Sequence, residues 1–500
     1  MRGEKYCEGT VMNWRAVSGN IGTILLIISP SFLIPIITGI IFHEEGITLL
    51  ISYAVPMIIM ILTGFALFQY GRYELERLRD IEAYFSVSLG WLIVAFFGSL
   101  PYVLSGTLPN LIDAYFESMS GFATCGATAI APPSNGDYLD VYTHSIFMWR
   151  ALTQWIGGIG IIVISVAILA RILGGGVSLF KAEASMHAMA KVRPRVVEYA
   201  RLLGVIYVFF TLLETLMLKI AGMNLYDALT HSFTTLATGG FGTHAKSIGY
   251  WDSVLIEVIV MVFILVGSIS FVLHYRLLKG NLRAAIRDDE LRLYAITLSV
   301  ATIAITFNLW LNHVYSSFAE ALRYASFQAI SIHGTAGFTT ADFSSWPVAS
   351  QLILVILMLI GGCAGSTAGA IKVSRILVLL KIGAREIKKI VHPRGVMPIR
   401  IGDMIVPEEI VHKISAFFFA YIISFFVLSV MLTFTGLDIP TSLSAVATTM
   451  GGVGPGLGAV SATVATISPA AKVILSFSMW LGRLEIFTAL MLFAPLWHRG

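Results

Sequence analysis

Charge is scarce in this chain. Asp, Glu, Lys and Arg make up 12% of its 500 residues, about half the share of a soluble globular protein. The net charge is only +4, which gives no basis for a nucleic-acid surface. Cysteine is scarcer still. Cys7, Cys125 and Cys363 are odd in number and far apart, so neither a disulfide nor a zinc site is expected. The histidines show no paired metal spacing, and His333 alone lies close to a glycine stretch of interest. No nucleophile–base set stands out, so no enzyme and no cofactor within this chain is expected. A cleaved signal peptide is not expected either: Met1 to Ala16 is mixed in charge and a long apolar run follows.

Apolar residues are what the chain has in abundance, at 57% and a mean hydropathy of +0.83. Runs long enough to cross a bilayer fall near 20–42, 47–70, 84–105, 142–172, 197–221, 252–275, 291–312, 348–382, 411–435 and 469–497. The run 348–382 is interrupted. Shorter runs near 111–122, 225–237, 318–333 and 440–451 are too short to cross. Ten spanning helices and four half-helices are therefore expected.

A glycine stretch follows each half-helix: Thr124-Cys125-Gly126, Thr238-Gly239-Gly240, Thr335-Ala336-Gly337 and Val453-Gly454-Pro455. Glycine permits unusual backbone angles. Non-helical backbone at membrane depth persists only inside protein or along a watery cavity. One such turn is weak evidence. Four at corresponding places predict an all-α polytopic membrane protein, with an N-terminal hairpin and four parallel helix–pore loop–helix repeats around a central pore. The expected units are 1–80, 81–180, 181–285, 286–400 and 401–500. A ring of backbone carbonyls can replace the hydration shell of a bare cation. The carbonyls expected to hold the ion are those of Thr124, Cys125, Thr238, Thr335, Ala336 and Val453.

Basic residues orient the chain. On alternate loops lie 27 of the 33 Lys and Arg, which places both termini in the cytoplasm and the glycine stretches outside. The outer segments are acidic, which would concentrate cations. Asp113, Asp227, Glu320 and Asp438 stand where they could cap the half-helices.

The segment Phe116-Glu117-Ser118-Met119-Ser120-Gly121-Phe122-Ala123-Thr124-Cys125-Gly126-Ala127-Thr128 resembles the first pore loop of the Trk/Ktr/HKT superfamily of potassium transporters. Ala237-Thr238-Gly239-Gly240-Phe241, Thr335-Ala336-Gly337-Phe338-Thr339 and Gly454-Pro455-Gly456-Leu457-Gly458 resemble its other three. The likeness covers nearly the whole chain, and the extra N-terminal hairpin is similar to the Trk-H subtype. The resemblance implies K⁺ as substrate, with Gly126, Gly239, Gly337 and Gly454 as the filter glycines. It also implies a homodimer in the cell membrane and a cytosolic nucleotide-binding regulatory subunit of the Trk-A type. Ala123 and Cys125 stand where the superfamily has threonine. Two mechanisms stay open: a gated pore, or a secondary carrier coupling K⁺ entry to H⁺ or Na⁺. Glu214, Glu257 and Glu485 lie in or near spans, where carboxylates either pair between helices or relay protons.

The third inner helix breaks at Gly361-Gly362-Cys363-Ala364-Gly365-Ser366-Thr367-Ala368-Gly369-Ala370. Small-residue helix packing is one reading, since Gly361, Gly365 and Gly369 fit that spacing. The resemblance implies instead an intramembrane gating loop. Gly157-Gly158-Ile159-Gly160 sits inside an apolar helix and is read as packing. Arg483 lies roughly 21 Å along its helix and Gly361 roughly 20 Å along its own, at 1.5 Å per residue. A guanidinium offers five donors to unpaired carbonyls. Arg483 is therefore expected to latch the loop and repel cations, the alternative being a salt bridge to a carboxylate on a neighbouring helix, with Glu485 a poor partner two residues away. The basic stretch from Lys372 to Lys413 is expected to dock the regulatory subunit or to meet anionic lipid.

Overall fold

The computed structural model describes residues 12–77, 79–134, 136–172, 192–402 and 404–493. The basic residues Arg2, Lys5, Lys181, Lys191 and Arg499, together with Cys7, lie outside them. Helix α1 (Trp14–Ile41, with a 3-10 turn at Ser29–Phe32) and α2 (Gly46–Gly71) form the N-terminal hairpin. Their backbones touch because glycines face each other: a Cβ on Gly19 would lie 2.8 Å from the carbonyl carbon of Gly71.

The rest of the chain repeats one order of elements. The first unit holds α3 (Asp80–Leu104), the half-helix α4 (Leu111–Phe122) and α5 (His144–Ile172). The second holds α6 (Val192–Ile220), the half-helix α7 (Leu225–Leu236), α8 (Val254–Ser268) and α9 (Phe271–Leu278). The third holds α10 (Asp289–Leu311), the half-helix α11 (Phe318–His333), α12 (Val348–Leu359) and α13 (Val373–Val391). The fourth holds α14 (Glu408–Thr433), the half-helix α15 (Ile439–Gly451), α16 (Pro469–Arg483) and α17 (Ile486–Leu490). Strands β1 (Arg400–Ile401) and β2 (Met404–Ile405) form the one sheet among the described residues, a small hairpin between α13 and α14.

Three expectations need correction. The run 252–275 is not one helix: α8 and α9 meet at 103°. Nor is 469–497, where α16 and the segment after it meet at 117°, turning at Glu485 with φ +58°. Among the described residues six helices are long and apolar enough to span, or eight counting each bent pair as one, and α5 runs 29 residues over the expected 142–172. The 12-residue α12 is too short alone. The third correction concerns the half-helix caps. Asn110, Asn224 and Ser317 accept the first-turn N–H groups, and Asp438 makes no side-chain cap bond. Asp113 and Asp227 are engaged elsewhere.

The α8–α9 break follows from where its backbone groups find partners. The carbonyls of Gly267 and Ser268 accept N–H bonds from Thr367 and Cys363 at 3.1 and 2.8 Å. Phe271 N donates back to Gly365 O at 3.0 Å. A bent span is tolerated in a membrane when another segment satisfies the freed groups.

Candidate ion pathway

All four half-helices end alike. In register with Thr124-Cys125-Gly126 the fourth stretch reads Gly452-Val453-Gly454, one residue earlier than its sequence suggested. The second residue of each stretch donates its N–H to the carbonyl five residues back: Cys125 to Ser120, Gly239 to Thr234, Ala336 to Ser331 and Val453 to Thr448, at 2.8–2.9 Å. Such a closure puts the preceding residue in the left-handed region. Thr124, Thr238 and Thr335 take φ of +49°, +50° and +54°, and Gly452 takes +71°. For threonine this conformation costs about 1–3 kcal/mol. The third position is again left-handed: Gly126 (+86°), Gly240 (+75°), Gly337 (+78°) and Gly454 (+111°). The structural equivalent of Gly126, Gly337 and Gly454 is thus Gly240, not Gly239. Gly239 occupies the second position with Cys125, Ala336 and Val453. The Thr-x-Gly spacing shared by Thr124, Thr238 and Thr335 is the signal that identifies Gly240.

These third-position glycines close a ring. A Cβ on Gly126 would overlap Gly239 O, one on Gly240 would overlap Ala336 O, and one on Gly337 would overlap Val453 O. One on Gly454 would lie 2.8 Å from Cys125 O. The strands therefore neighbour one another in the cyclic order first, second, third, fourth, first. Each places a second-position carbonyl against its neighbour's glycine.

Side chains that the sequence reading missed hold the ring from behind. Gln154 donates to Gly239 O at 2.8 Å and accepts from Phe241 N at 3.1 Å. Arg150, buried on α5, donates to Glu117 at 2.7 Å, to Gly242 O at 3.2 Å and to Thr128 Oγ1 at 3.2 Å. Glu117 in turn accepts from Thr128 and from Ala129 N. The Arg150 guanidinium lies between the rings of Phe147 and Phe241. The pair ties the exit of the first strand to that of the second. A charged residue inside an apolar run is itself a reason to expect a role, and this was the available clue. Arg150→Met should destabilise the protein by about 3–5 kcal/mol by stranding the buried Glu117 carboxylate. The double variant with Glu117→Gln should recover most of that loss in thermal unfolding in detergent. Equal melting of single variant and parent would refute the coupling.

The loop after α12 crosses beneath the strands. Its legs pair as Gly361 N to Ile371 O at 3.0 Å and Ile371 N to Leu359 O at 3.2 Å. Gly369 N donates to the Thr335 hydroxyl at 2.8 Å. The Thr367 hydroxyl bonds Leu236 O and Gly267 O, each at 2.9 Å, and Ser366 Oγ donates to Cys363 O at 2.5 Å. Gly362 packs against the Ser268 carbonyl and Gly365 faces Ser270. Arg483 is buried and donates through Nη1 to Thr367 O at 2.9 Å and through Nη2 to Gly157 O at 3.3 Å. One cavity above the loop is lined by Ala123, Gly452, Thr449, Gly369 and Arg483. A second on its other side is lined by Ala368, Gly369, Lys372, Glu485 and Arg483. Gly369 and Arg483 stand between the two.

The remaining candidates fall elsewhere. His333 bonds Thr297 and Ile360 O, each at 2.9 Å, and stacks on Tyr294. Gly157 and Gly158 pack against Phe122 O and Tyr207. Glu257 pairs with Arg323 at 2.7 Å and Glu485 with Arg375 at 2.6 Å. Glu214 is fully buried, and neither oxygen reaches hydrogen-bond geometry among the described residues. Cys125 and Cys363 are free thiols.

Several acids of the expected vestibule are already engaged. Asp113 holds Lys472 at 2.7 Å, Asp252 holds Arg323 at 2.8 Å, and Asp137 and Asp227 flank His244. Burial disfavours charge on His244, but the hydrogen-bonded Asp227 and Asp137 carboxylates outweigh it and raise its pKa. Field focusing by these acids is accordingly weaker than their number suggests.

The TrkH family of cation transport proteins matches residues 55–498. The chain belongs to that family. It is 38% identical to the Trk system potassium uptake protein TrkH of Escherichia coli K12 over 492 residues, 98% of this chain and all of that protein. TrkH of Halomonas elongata is equally similar, 38% over 491 residues with the same coverage. The crystal structure of the potassium transporter TrkH from Vibrio parahaemolyticus superposes with a TM-score of 0.88 at 35% identity, covering 98% of this chain and all of that one. As a TrkH-family protein with several apolar spans, the chain is a multi-pass membrane transporter of the all-α class, not an enzyme.

Proposed function

We propose that this chain is the pore-forming subunit of a potassium uptake system in the cell membrane. The observation that carries the reading is the cyclic packing of second-position carbonyls against third-position glycines. A closed ring of hard oxygen donors suits a bare alkali cation. The ion-holding carbonyls are those of Thr124, Cys125, Thr238, Gly239, Thr335, Ala336, Gly452 and Val453. The barrier beneath is the Gly361–Ala370 loop with Arg483. Potassium as the cargo is supported by the named function of the relatives. Purified protein in liposomes, with the pH gradient clamped at zero, should carry K⁺ down its gradient in preference to Na⁺. Flux that vanishes without a proton or Na⁺ gradient would replace the pore by a coupled carrier.

Both termini belong on the cytoplasmic side in this reading, with a homodimer in the bilayer. A cytosolic nucleotide-binding subunit of the Trk-A type would meet α13. That helix exposes Ile387, Ile390 and Val391 beside Lys388 and Lys389. Arg385 is already paired with Glu408 and Lys389 with Glu386, so both contribute less to a dock than their charge suggests. Reversing Lys388 and Lys389 to Glu should weaken co-purification several-fold, because rim charges of this kind are each worth about 0.2–1 kcal/mol. Undiminished co-purification would move the dock off this helix.

A further inference from the structure

Helix α10 opens with two adjacent carboxylates, Asp289 and Glu290. One oxygen of Glu290, Oε1, accepts from Ala364 N at 2.6 Å and from Ser374 N at 3.0 Å. These donors sit on opposite legs of the intramembrane loop, the second in the first turn of α13. The legs are joined to each other by Val373 N donating to Gly362 O at 3.1 Å. One turn along α10, Tyr294 is buried with Cys363 and Val373, an apolar contact among the same three elements. Asp289 extends the grip. Its Oδ2 accepts from Lys381 Nζ at 3.2 Å, two turns along α13, and from Gly402 N at 2.9 Å in the β1–β2 turn. Of the loop's other holds, Thr335 lies in the same unit, Ser268 and Gly267 in the second, and Arg483 in the fourth.

We propose that Glu290 is a positioning residue of the transport pathway, fastening the Gly361–Ala370 loop to the first turn of α13 so that the two move as one body. A force applied to the cytoplasmic face of α13 then reaches the loop directly. The inference rests on the reading of that loop as the barrier. The fastening needs an acceptor oxygen at this position, not a charge, because both bonds are backbone N–H groups on one oxygen. Glutamine keeps that oxygen, leucine removes it, and aspartate keeps the charge but shortens the reach.

The test compares E290Q, E290L and E290D in liposomes. Amide hydrogen exchange is followed in peptides covering the loop and the start of α13, alongside K⁺ flux. E290L and E290D should accelerate exchange in both peptides together, by about tenfold or more, and raise K⁺ flux. E290Q should match the parent in both. Parent-like exchange in E290L and E290D, acceleration of only one peptide, or an E290Q that behaves like E290L would each overturn the fastening. Should both peptides accelerate while K⁺ flux stays at the parent level, the fastening stands and the barrier reading of the loop fails.

Discussion

Gly337→Ala should cut the preference for K⁺ over Na⁺ by about tenfold or more, and Gly240→Ala should do nearly the same. A left-handed backbone alone costs a side chain about 1–2 kcal/mol, and a factor of ten is about 1.4 kcal/mol. The added methyl would also drive into a neighbouring carbonyl, closest at Gly337 and next at Gly240. Because those carbonyls form the ring, relief of the clash must reshape it. Gly126→Ser should act in the same direction. Gly454 has the most room, with 2.8 Å to Cys125 O, and should be the mildest of the four. Gly239→Ala is the comparison. Its φ is not left-handed, and its Cβ would meet the Gln154 amide rather than a strand carbonyl. Displacing that amide loosens its bonds to Gly239 O and Phe241 N but leaves the strand backbone in place. It should retain more of the discrimination than Gly240→Ala. The measurement is the relative permeability of K⁺ and Na⁺ in liposomes for each variant at matched protein incorporation. Equal damage from Gly239→Ala and Gly240→Ala would refute the assigned register.

Arg483→Ala should raise K⁺ flux, by about tenfold or more. A hydrogen bond from a charged donor is worth about 1.5–3 kcal/mol, and Arg483 spends one such bond on the Thr367 carbonyl. The guanidinium bonds carbonyls of two other units, while Glu485 pairs with Arg375. Among the described residues its positive charge has no hydrogen-bonded carboxylate, so in the proposed reading it acts as an electrostatic barrier as well as a latch. Shortening the loop between Gly362 and Ala368 removes the latched segment and leaves the arginine. The two variants separate the contributions: the shortened loop should open the path sterically, and Arg483→Ala should lower the barrier to cations. Folded Arg483→Ala protein that conducts no faster than its parent would rule out the latch.

Some of this architecture was legible in the residues. The half-helices Leu111–Phe122 and Phe318–His333 fall at the expected bounds, because short apolar runs ending in glycine are a local property. The loop at Gly361 announces itself through eight glycine, alanine and serine residues in a row of ten. The α8–α9 break does not. Ser268-Ile269-Ser270 carries neither glycine nor proline, and what stabilises the bend lies about a hundred residues further on. Arg150, Gln154 and Glu290 escaped for the same reason. Each looks like an isolated polar residue until its partners, on other helices, are in place. The misassigned Gly239 has a different cause. Two adjacent glycines satisfy a compositional pattern equally well, and only the left-handed residue closing the half-helix decides between them.

The bend between α8 and α9 also sets an order of events during biogenesis. Its carbonyls at Gly267 and Ser268 are answered by Thr367 and Cys363, which leave the ribosome much later. A nascent chain that has inserted its first two units has nothing to satisfy those groups in the bilayer. Helical continuity through this segment would satisfy them in the interim. The kink is therefore expected to form only when the third unit arrives, so that the second unit should complete its fold after the third has entered the membrane.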